Sequence, residues 1–542
     1  MHLRASLLCL ALGLATLAAQ PALSVVTPTN SAPVPVPAPA PALGPALAAD
    51  STPPQPAPAQ TPVPDPRLAP ALAQLDRAYA DLAAERHIPG LVYGVLLDGH
   101  LVHTRALGLA NVAEKIPAAA DTRFRIASMT KSFTALAIYK LRDAGQLALT
   151  DPVAKYLPEF RAVTPLTTDA APITIHHLLT MTAGFPEDNP WGDRQLAVTP
   201  AALTDFIRSG LSLSNAPGIG YEYSNLGFAL LGQIVTRVAG VSYQAYITRE
   251  FLQPLGMKDT VWEYSEVPPE KLALGYRWEN NAWRLEPMLH DGTYGAMGGI
   301  LTTLDDFARY VTFHLFAYPA RDDPDTGPLR RATLRELHQP AVVASVTDAK
   351  SLAGEPRPFV TAYAHGLRWS MDSTGLVNIG HSGGLPGFGS NYRFYPTLGL
   401  AIISFANLTY APMSAANNKV APFLIEQAAL PARPIPTNEI LLTRQRALVA
   451  LLTTWDAQLG AAVLGENFFL DRDRADWITF SRDVLARSGH IVTTGQLRPE
   501  NQLRSTFTLT CEKGLIDVFF TLTPEATPKV QQLRLTYRPL TP

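Results

Sequence analysis

Two groups of strand-like segments stand far apart in this chain, and what lies between them is helical. Leu91 to Leu97 and Leu101 to Ala106 are apolar runs joined at Asp98-Gly99-His100, and Asp-Gly between two such runs is a strong hairpin signal. Far downstream, Val377 to Ile379, Asn391 to Tyr395 and Leu400 to Asn407 repeat the pattern, with Pro396-Thr397-Leu398-Gly399 turning the last pair. Between these groups the apolar spacing becomes helical: Ser128 to Ala144 ending at Gly145, Ile175 to Thr180, Ala201 to Arg208, Leu226 to Ala239 ending at Gly240, and Leu304 to Phe316. Helices inserted into an antiparallel sheet predict an α+β body whose single sheet joins both ends, with an appended helical lobe.

We place this body at residues 71–431. Leu72, Leu75, Tyr79 and Leu82 predict a helix at its start, stopping before Pro89-Gly90. Upstream, Met1-His2-Leu3-Arg4 followed by an apolar run from Leu7 to about Ala19 has the form of a secretory signal peptide, assigned to 1–24. The expected setting is secreted or periplasmic, whether the leader is cleaved or kept as an anchor. Residues 25–70 carry a large share of the 48 prolines and read as a disordered Pro/Ala-rich linker of extended polyproline type. Ala432-Arg433-Pro434-Ile435-Pro436 reads as a second linker, and 438–542 as a small C-terminal α+β domain. There a helix from about Glu439 to Leu459 leads to alternating strands, Phe507, Leu509 and Cys511, then Ile516, Val518, Phe520 and Leu522, then Leu533, Leu535 and Tyr537. That curved sheet on a helix is similar to the nuclear-transport-factor-2-like folds.

Composition narrows the partners. With 44 basic and 46 acidic residues dispersed along 542, a net charge of -2 leaves no basic stripe for phosphates, so no nucleic-acid partner is expected. No stretch after the leader reaches 18 apolar residues, so a soluble mature protein with no firm membrane partner is expected. Cys9 leaves with the leader and Cys511 has no partner in its chain, so disulfides contribute nothing. His176-His177 point to different helical faces and no His-Glu-x-x-His is present, so neither metal nor other cofactor is expected.

The chemistry concentrates in three stretches. Ser128-x-x-Lys131 opens the longest helical pattern, and a three-residue step puts both side chains on one face. A lysine made neutral by an apolar wall, for which Phe133 and Leu136 are candidates, can take the serine's proton, and the helix N-terminus offers free N–H groups to an oxyanion. Chance alone supplies one or two such motifs in a chain of this length, so the pair needs company. Pro217-Gly218-Ile219-Gly220-Tyr221-Glu222-Tyr223-Ser224-Asn225 delivers Tyr-x-Asn to a helix start. Tyr223 is a candidate acid/base beside the Lys131 cation, and Asn225 a candidate bridge from Lys131 to a substrate carbonyl; the bland alternative is a helix cap. Gly380-His381-Ser382-Gly383-Gly384 ends a predicted strand whose small residues suit a peptide-like ligand alongside, with His381 facing it and the Gly384 N–H completing an oxyanion hole with that of Ser128. Alone, His381 reads as an ordinary, partly exposed histidine.

In this order and spacing, Ser128-x-x-Lys131, Tyr223-x-Asn225 and His381-Ser382-Gly383 resemble the serine β-lactamase and D-alanyl-D-alanine peptidase superfamily, most closely its class C-like branch. Ile173-Thr174-Ile175-His176-His177-Leu178-Leu179-Thr180-Met181-Thr182-Ala183-Gly184 and Gly298-Gly299-Ile300-Leu301-Thr302-Thr303-Leu304-Asp305-Asp306 look like family segments. The resemblance covers about residues 70 to 430 and implies a β-lactamase-like antiparallel sheet flanked by helices, Ser128 as acylated nucleophile, Lys131 as its base and Tyr223 as acid/base for the leaving group. Asn225, His381, Ser382, Gly383 and Gly384 are the implied substrate-binding residues. Where β-lactamases of this group have Lys-Thr-Gly, this chain has His381-Ser382-Gly383, so efficient β-lactam hydrolysis is not expected. The resemblance implies a serine hydrolase for small-molecule or peptide substrates: short peptides, D-amino-acid ones included, amides or esters. Two alternatives stand beside it: a penicillin-binding or sensor protein without turnover, and an esterase using Ser382, since Gly380-His381-Ser382-Gly383-Gly384 also satisfies Gly-x-Ser-x-Gly. The oligomeric state is left open.

Overall fold

The computed structural model describes residues 65–189, 191–350 and 354–540. The expected signal peptide and almost all of the Pro/Ala-rich linker lie outside the described residues. The last residues assigned to that linker are helical: Ala69–Glu85 (α1) starts with Pro70 in its first turn, where a missing N–H costs nothing.

Strands Gly90–Leu97 (β1), His100–Asn111 (β2) and Ile116–Pro117 (β3) follow. The chain then leaves the sheet for the helices Lys131–Asp143 (α2), Asn225–Ala239 (α3) and Leu304–Leu315 (α4), with shorter helical turns between them. It returns through Val342–Lys350 (β4), Pro356–Tyr363 (β5), Arg368–Asp372 (β6), Val377–Leu385 (β7), Phe388–Tyr395 (β8) and Leu400–Ala406 (β9), then Met413–Ala428 (α5). The nine strands form one sheet in the order β3-β2-β1-β9-β8-β7-β6-β5-β4. The expected joining of both ends is the antiparallel pair β1–β9, with Val92 opposite Phe405 and Val95 opposite Ile402. Asp98 and Gly99 turn β1 into β2 with φ of 51° and 82°, the left-handed pair that a tight hairpin needs.

β1 is buried on both faces, because each face meets a different core. Leu91, Tyr93, Val95 and Leu97 pack with α1 and α5, whereas Val92 and Leu96 join the larger core of α2, α3, α4 and the helical lobe. That two-sided burial is why the strand reads as an unbroken apolar run rather than an alternation. In α2 every residue from Lys131 to Tyr139 is buried, and each large apolar side chain among them contributes about 1.5–3 kcal/mol.

Three sequence expectations are revised. The α-helix expected from Ser128 starts at Lys131, and Ser128 lies in a 3-10 turn, Ala127–Thr130, that precedes it. β7 runs on past Ile379 through the glycines to Leu385, and β4, β5 and β6 had no clear apolar signature because much of their surface is exposed or half-buried. The long C-terminal helix is two, Glu439–Thr454 (α6) and Ala457–Val463 (α7), broken where Trp455 turns left-handed at φ 51° and Asp456 caps the second. Arg474–Ser488 (α8) and strands Ile491–Thr494 (β10), Arg498–Asn501 (β11), Arg504–Cys511 (β12), Gly514–Leu522 (β13) and Val530–Pro539 (β14) complete this region. Its sheet has its own apolar core, in which Phe507, Leu509, Ile516, Val518 and Phe520 meet Leu441, Leu448 and Leu452. Cys511 is a free, buried thiol.

Candidate active site

The 3-10 turn carries Ser128 into a cleft of about 360 Å³. Ala127, just before it, holds φ of 52°, a strained conformation for a residue with a side chain. The strain is fixed by packing: the Ile126 carbonyl accepts from Ser390 Oγ at 2.8 Å, and a Cβ on Gly383 would lie 2.1 Å from that same carbonyl oxygen. Gly383, expected to bind substrate, is instead the place where β7 lets the segment before Ser128 approach. The Ser128 N–H, in the first turn, has no carbonyl of its own helix to meet.

Lys131 is wholly buried. Its Nζ lies 2.9 Å from Ser128 Oγ, 2.7 Å from Asn225 Oδ1 and 3.1 Å from the Met297 carbonyl. The expected apolar wall is aromatic and comes from other residues: the Tyr223 and Phe228 ring centroids are 4.8 and 5.6 Å from Nζ, while Phe133 stacks on Tyr310. Burial pushes the amine down to about 7, against the pull of Asp193 and Asp188. Burial also raises both of those carboxyls above their usual range. Asp188 accepts from the Asn225 and Leu226 N–H groups at 2.6 and 2.7 Å, capping α3 and thereby fixing the amide beside Lys131.

Tyr223 faces the Ser128 side chain, and burial raises its phenol above the ordinary value of 10. The resting group is therefore a protonated phenol, able to play the acid half of the acid/base role expected of it. Asn225 departs from expectation. Its Oδ1 takes the Lys131 hydrogen bond, so Nδ2 points to Asn189 Oδ1 at 2.6 Å and Asp193 Oδ1 at 3.3 Å, and is already engaged.

β7 forms the cleft's other wall. A two-residue Pro386-Gly387 turn makes Leu385 and Phe388 a hydrogen-bonded pair, so by the alternation of antiparallel ladders Gly384 and Ser382 direct their N–H and C=O away from β8. On that side β6 has already ended, its first residue Arg368 pairing with Gly380. Both residues line the cleft, and the Gly384 N–H is free for the oxyanion role. The strand is an edge only over this short reach.

His381 does not face the cleft. It is 1% exposed, its Nδ1 donates to the Ser382 carbonyl at 2.6 Å, and its Nε2 accepts from Tyr363 at 3.0 Å. Burial, with Arg368 and Lys131 nearby, lowers its pKa well below 6.5, so it is neutral. The cation at this end is Arg368, whose guanidinium carbon lies 5.6 Å from the Tyr223 ring centroid. Ser382 lies within β7, which turns directly into β8 with no helix after it, so the turn-to-helix geometry of a Gly-x-Ser-x-Gly elbow is absent there.

Ser128, Tyr223, Ser382 and Gly384 thus line one cleft, with Lys131 and Asn225 behind Ser128. A family model described as Beta-lactamase matches residues 75–426. The chain belongs to the beta-lactamase family. Protein flp of Staphylococcus aureus strain N315 is 31% identical over 360 residues, 65% of each chain, so this beta-lactamase-family chain spans about two thirds of that relative's length. Beta-lactamase-like protein 2 of Dictyostelium discoideum is 29% identical over 298 residues, 54% of this chain and 52% of that one. In the fold comparison, the octameric penicillin-binding protein homologue from Pyrococcus abyssi superposes with a TM-score of 0.54 at 21% identity, covering 87% of this chain and 96% of that chain. Family membership gives the chain a serine-hydrolase-type fold.

Sequence reasoning missed Asp188, Asn189, Asp193, Arg368 and Tyr410. None shares a short motif with Ser128; Asp188, Asn189 and Asp193 come from one loop, Arg368 from the start of β6 and Tyr410 from the segment after β9. Only the acidic Asp188 and Asp193 flanking Trp191 in a loop without helical periodicity offered a signal.

Proposed function

We propose that this chain is a serine hydrolase that forms an acyl-enzyme at Ser128 with short peptides, D-amino-acid peptides included, amides or esters that carry a carboxylate. The observation that carries this reading is the environment of Lys131 Nζ. A neutral amine has two hydrogens and one lone pair. Two of its three neighbours, Asn225 Oδ1 and the Met297 carbonyl, can only accept. They take the hydrogens, which leaves the lone pair for the Ser128 hydroxyl at 2.9 Å.

Ser128 Oγ attacks the substrate carbonyl carbon as its proton passes to Lys131. The oxygen that becomes negative meets the N–H groups of Ser128 and Gly384. As the carbon–nitrogen or carbon–oxygen bond breaks, the leaving atom takes the Tyr223 proton, and the Lys131 ammonium returns a proton to the phenolate. Water then follows the same route: it loses a proton to the amine, attacks the ester and frees the Ser128 hydroxyl and a carboxylic acid. Arg368, the cation beside Tyr223, suits a carboxylate on the leaving group. Neutral, buried His381 takes no part in that contact. The leader-like N-terminal sequence supports a secreted or periplasmic setting.

The test is a fluorophosphonate probe on the full chain, followed by ester and D-amino-acid amide panels. One label on Ser128, lost in Ser128→Ala and kept in Ser382→Ala, with turnover in the panels, is expected. Folded protein that takes no label overturns the reading; label without turnover favours a binding or sensor role.

A further inference from the structure

The cleft has two chemically unlike ends, and the direction of the reaction gives each end one half of the substrate. The leaving group departs toward Tyr223, its proton donor, and so toward Arg368, which stands over the Tyr223 ring. The acyl half must extend the other way, past Gly384. That end presents acceptors: buried Asp193, and Asn189 Oδ1, with the Asn225 amide donor already spent between them.

Tyr410 lies across this end. Its side chain is 44% exposed, yet its hydroxyl donates to Asp193 Oδ2 at 3.0 Å. Its ring covers Gly384 so closely that a Cβ there would sit 2.8 Å from Tyr410 Cδ1. The backbone holds a left-handed φ of 52°, kept by the Tyr410 N–H donating to the Phe388 carbonyl at 3.1 Å and the Thr409 N–H to that of Tyr276 at 2.7 Å. The residue is thus an anchored strap from the sheet to the Asp193 loop.

Resting on the hydrolase reading above, we propose that the Tyr410 ring, held over Gly384, closes the acyl end of the cleft, so that the acyl half is a single aminoacyl residue whose free ammonium takes the place of the Tyr410 hydroxyl on Asp193. The substrate is then a small zwitterionic peptide, with its ammonium at Asp193, its carboxylate at Arg368 and its scissile carbonyl at Ser128. From Gly380, opposite Arg368, to Gly384, under Tyr410, the strand rises about 13 Å. An extended dipeptide spans roughly 7 Å, and the two recognising side chains reach inward over the rest. An N-acylated peptide has no ammonium to exchange for the Tyr410 hydroxyl on Asp193, and its acyl group meets the Tyr410 ring, which disfavours it twice.

The measurement is the ratio of kcat/KM for D-Ala-D-Ala to that for its N-acetyl form, on the full chain. A ratio cancels any general damage to Lys131, which is near Asp193, or to folding. Wild type is expected to favour the free amine by about tenfold or more. Tyr410→Ala raises turnover of N-acetylated and longer acyl peptides about tenfold, Asp193→Asn takes the ratio toward one, and Tyr410→Phe keeps the length limit because the ring stays over Gly384. If dipeptides bind without turnover, the same ratio is read as protection of Ser128 from the fluorophosphonate. A wild-type ratio of one or below, or a ratio unmoved by both Tyr410→Ala and Asp193→Asn, overturns the proposal while labelled Ser128 leaves the hydrolase reading standing. Absence of labelling sinks both.

Discussion

Two buried cations flank Ser128, Arg125 three residues before it and Lys131 three after, and they do opposite things. Arg125 is 2% exposed and donates to the carbonyls of Gly299 and Leu289 at 2.8 and 2.7 Å. Burial lowers its pKa only to about 10, so it stays charged and ties down both ends of the segment that offers the Met297 carbonyl to Lys131. Lys131, equally buried, is brought to about 7. The difference lies in the starting acidity and in the neighbours. A guanidinium begins too high for the same burial to neutralise it, and its fork matches two carbonyls. An amine begins low enough to lose its charge, and it has a hydroxyl beside it. Burial of a cation therefore marks a catalytic base only when the proton has somewhere to come from.

The sharpest way to break this contrast is to replace the base. Lys131→Gln keeps N–H donors but removes the amine lone pair, and acylation of Ser128 should fall at least about a thousandfold, read as the rate of fluorophosphonate labelling with circular dichroism to confirm folding. A retained rate would make Lys131 structural, like Arg125. Next in size is Tyr223→Phe, which removes the proton donor and should lower kcat on amides roughly a hundredfold or more, with a smaller effect on esters whose leaving groups need no proton. Equal losses on both would shift the acid role elsewhere.

The structural cation is tested by stability. Arg125→Met strands two buried carbonyls and should cost about 2–3 kcal/mol in denaturant unfolding, with labelling per folded molecule nearly unchanged. A large loss of labelling in fully folded protein would give Arg125 a catalytic share. A third cation sharpens the comparison from outside: Arg368→Gln should raise KM about tenfold for substrates with a carboxylate and leave neutral esters alone, since its guanidinium faces the cleft rather than the core. The smallest effect is pH. Because Lys131 must be neutral to act, kcat/KM should rise with pH through about 7 and level off above it. The same depressed value means that the unfolded chain holds the extra proton between about 7 and 10.5, so stability should rise with pH across that window. A rate that falls with pH through 7 would rule out the neutral amine.

The reading of the chain as sequence was strongest where chemistry is local. Ser128 and Lys131 meet because they are one turn apart, and that holds even though a 3-10 turn replaces the expected start of the helix. Gly384 was placed correctly beside the cleft, but Gly383 and His381 were not, because alternation along β7 sends neighbours to different sides and only the partners of that strand reveal which is which. His381 looked like a weak cation in place of a lysine; burial, with Arg368 and Lys131 nearby, keeps it neutral, and Tyr363, from a strand that gave no apolar signal, takes its Nε2. Asn225 looked free to meet a substrate, until Asn189 and Asp193 arrived from a loop to occupy it.

By itself the sequence determined the α+β plan, the closure of the sheet from both ends and the pairing of Ser128 with Lys131, since apolar periodicity and a three-residue step are properties of neighbouring residues. Tertiary structure alone decided which charged groups stand at each end of the cleft. Arg368, Asp193 and Tyr410 come from a strand start, a loop and a strap far apart in the chain, and burial and protonation belong to the surroundings of a side chain rather than to its identity.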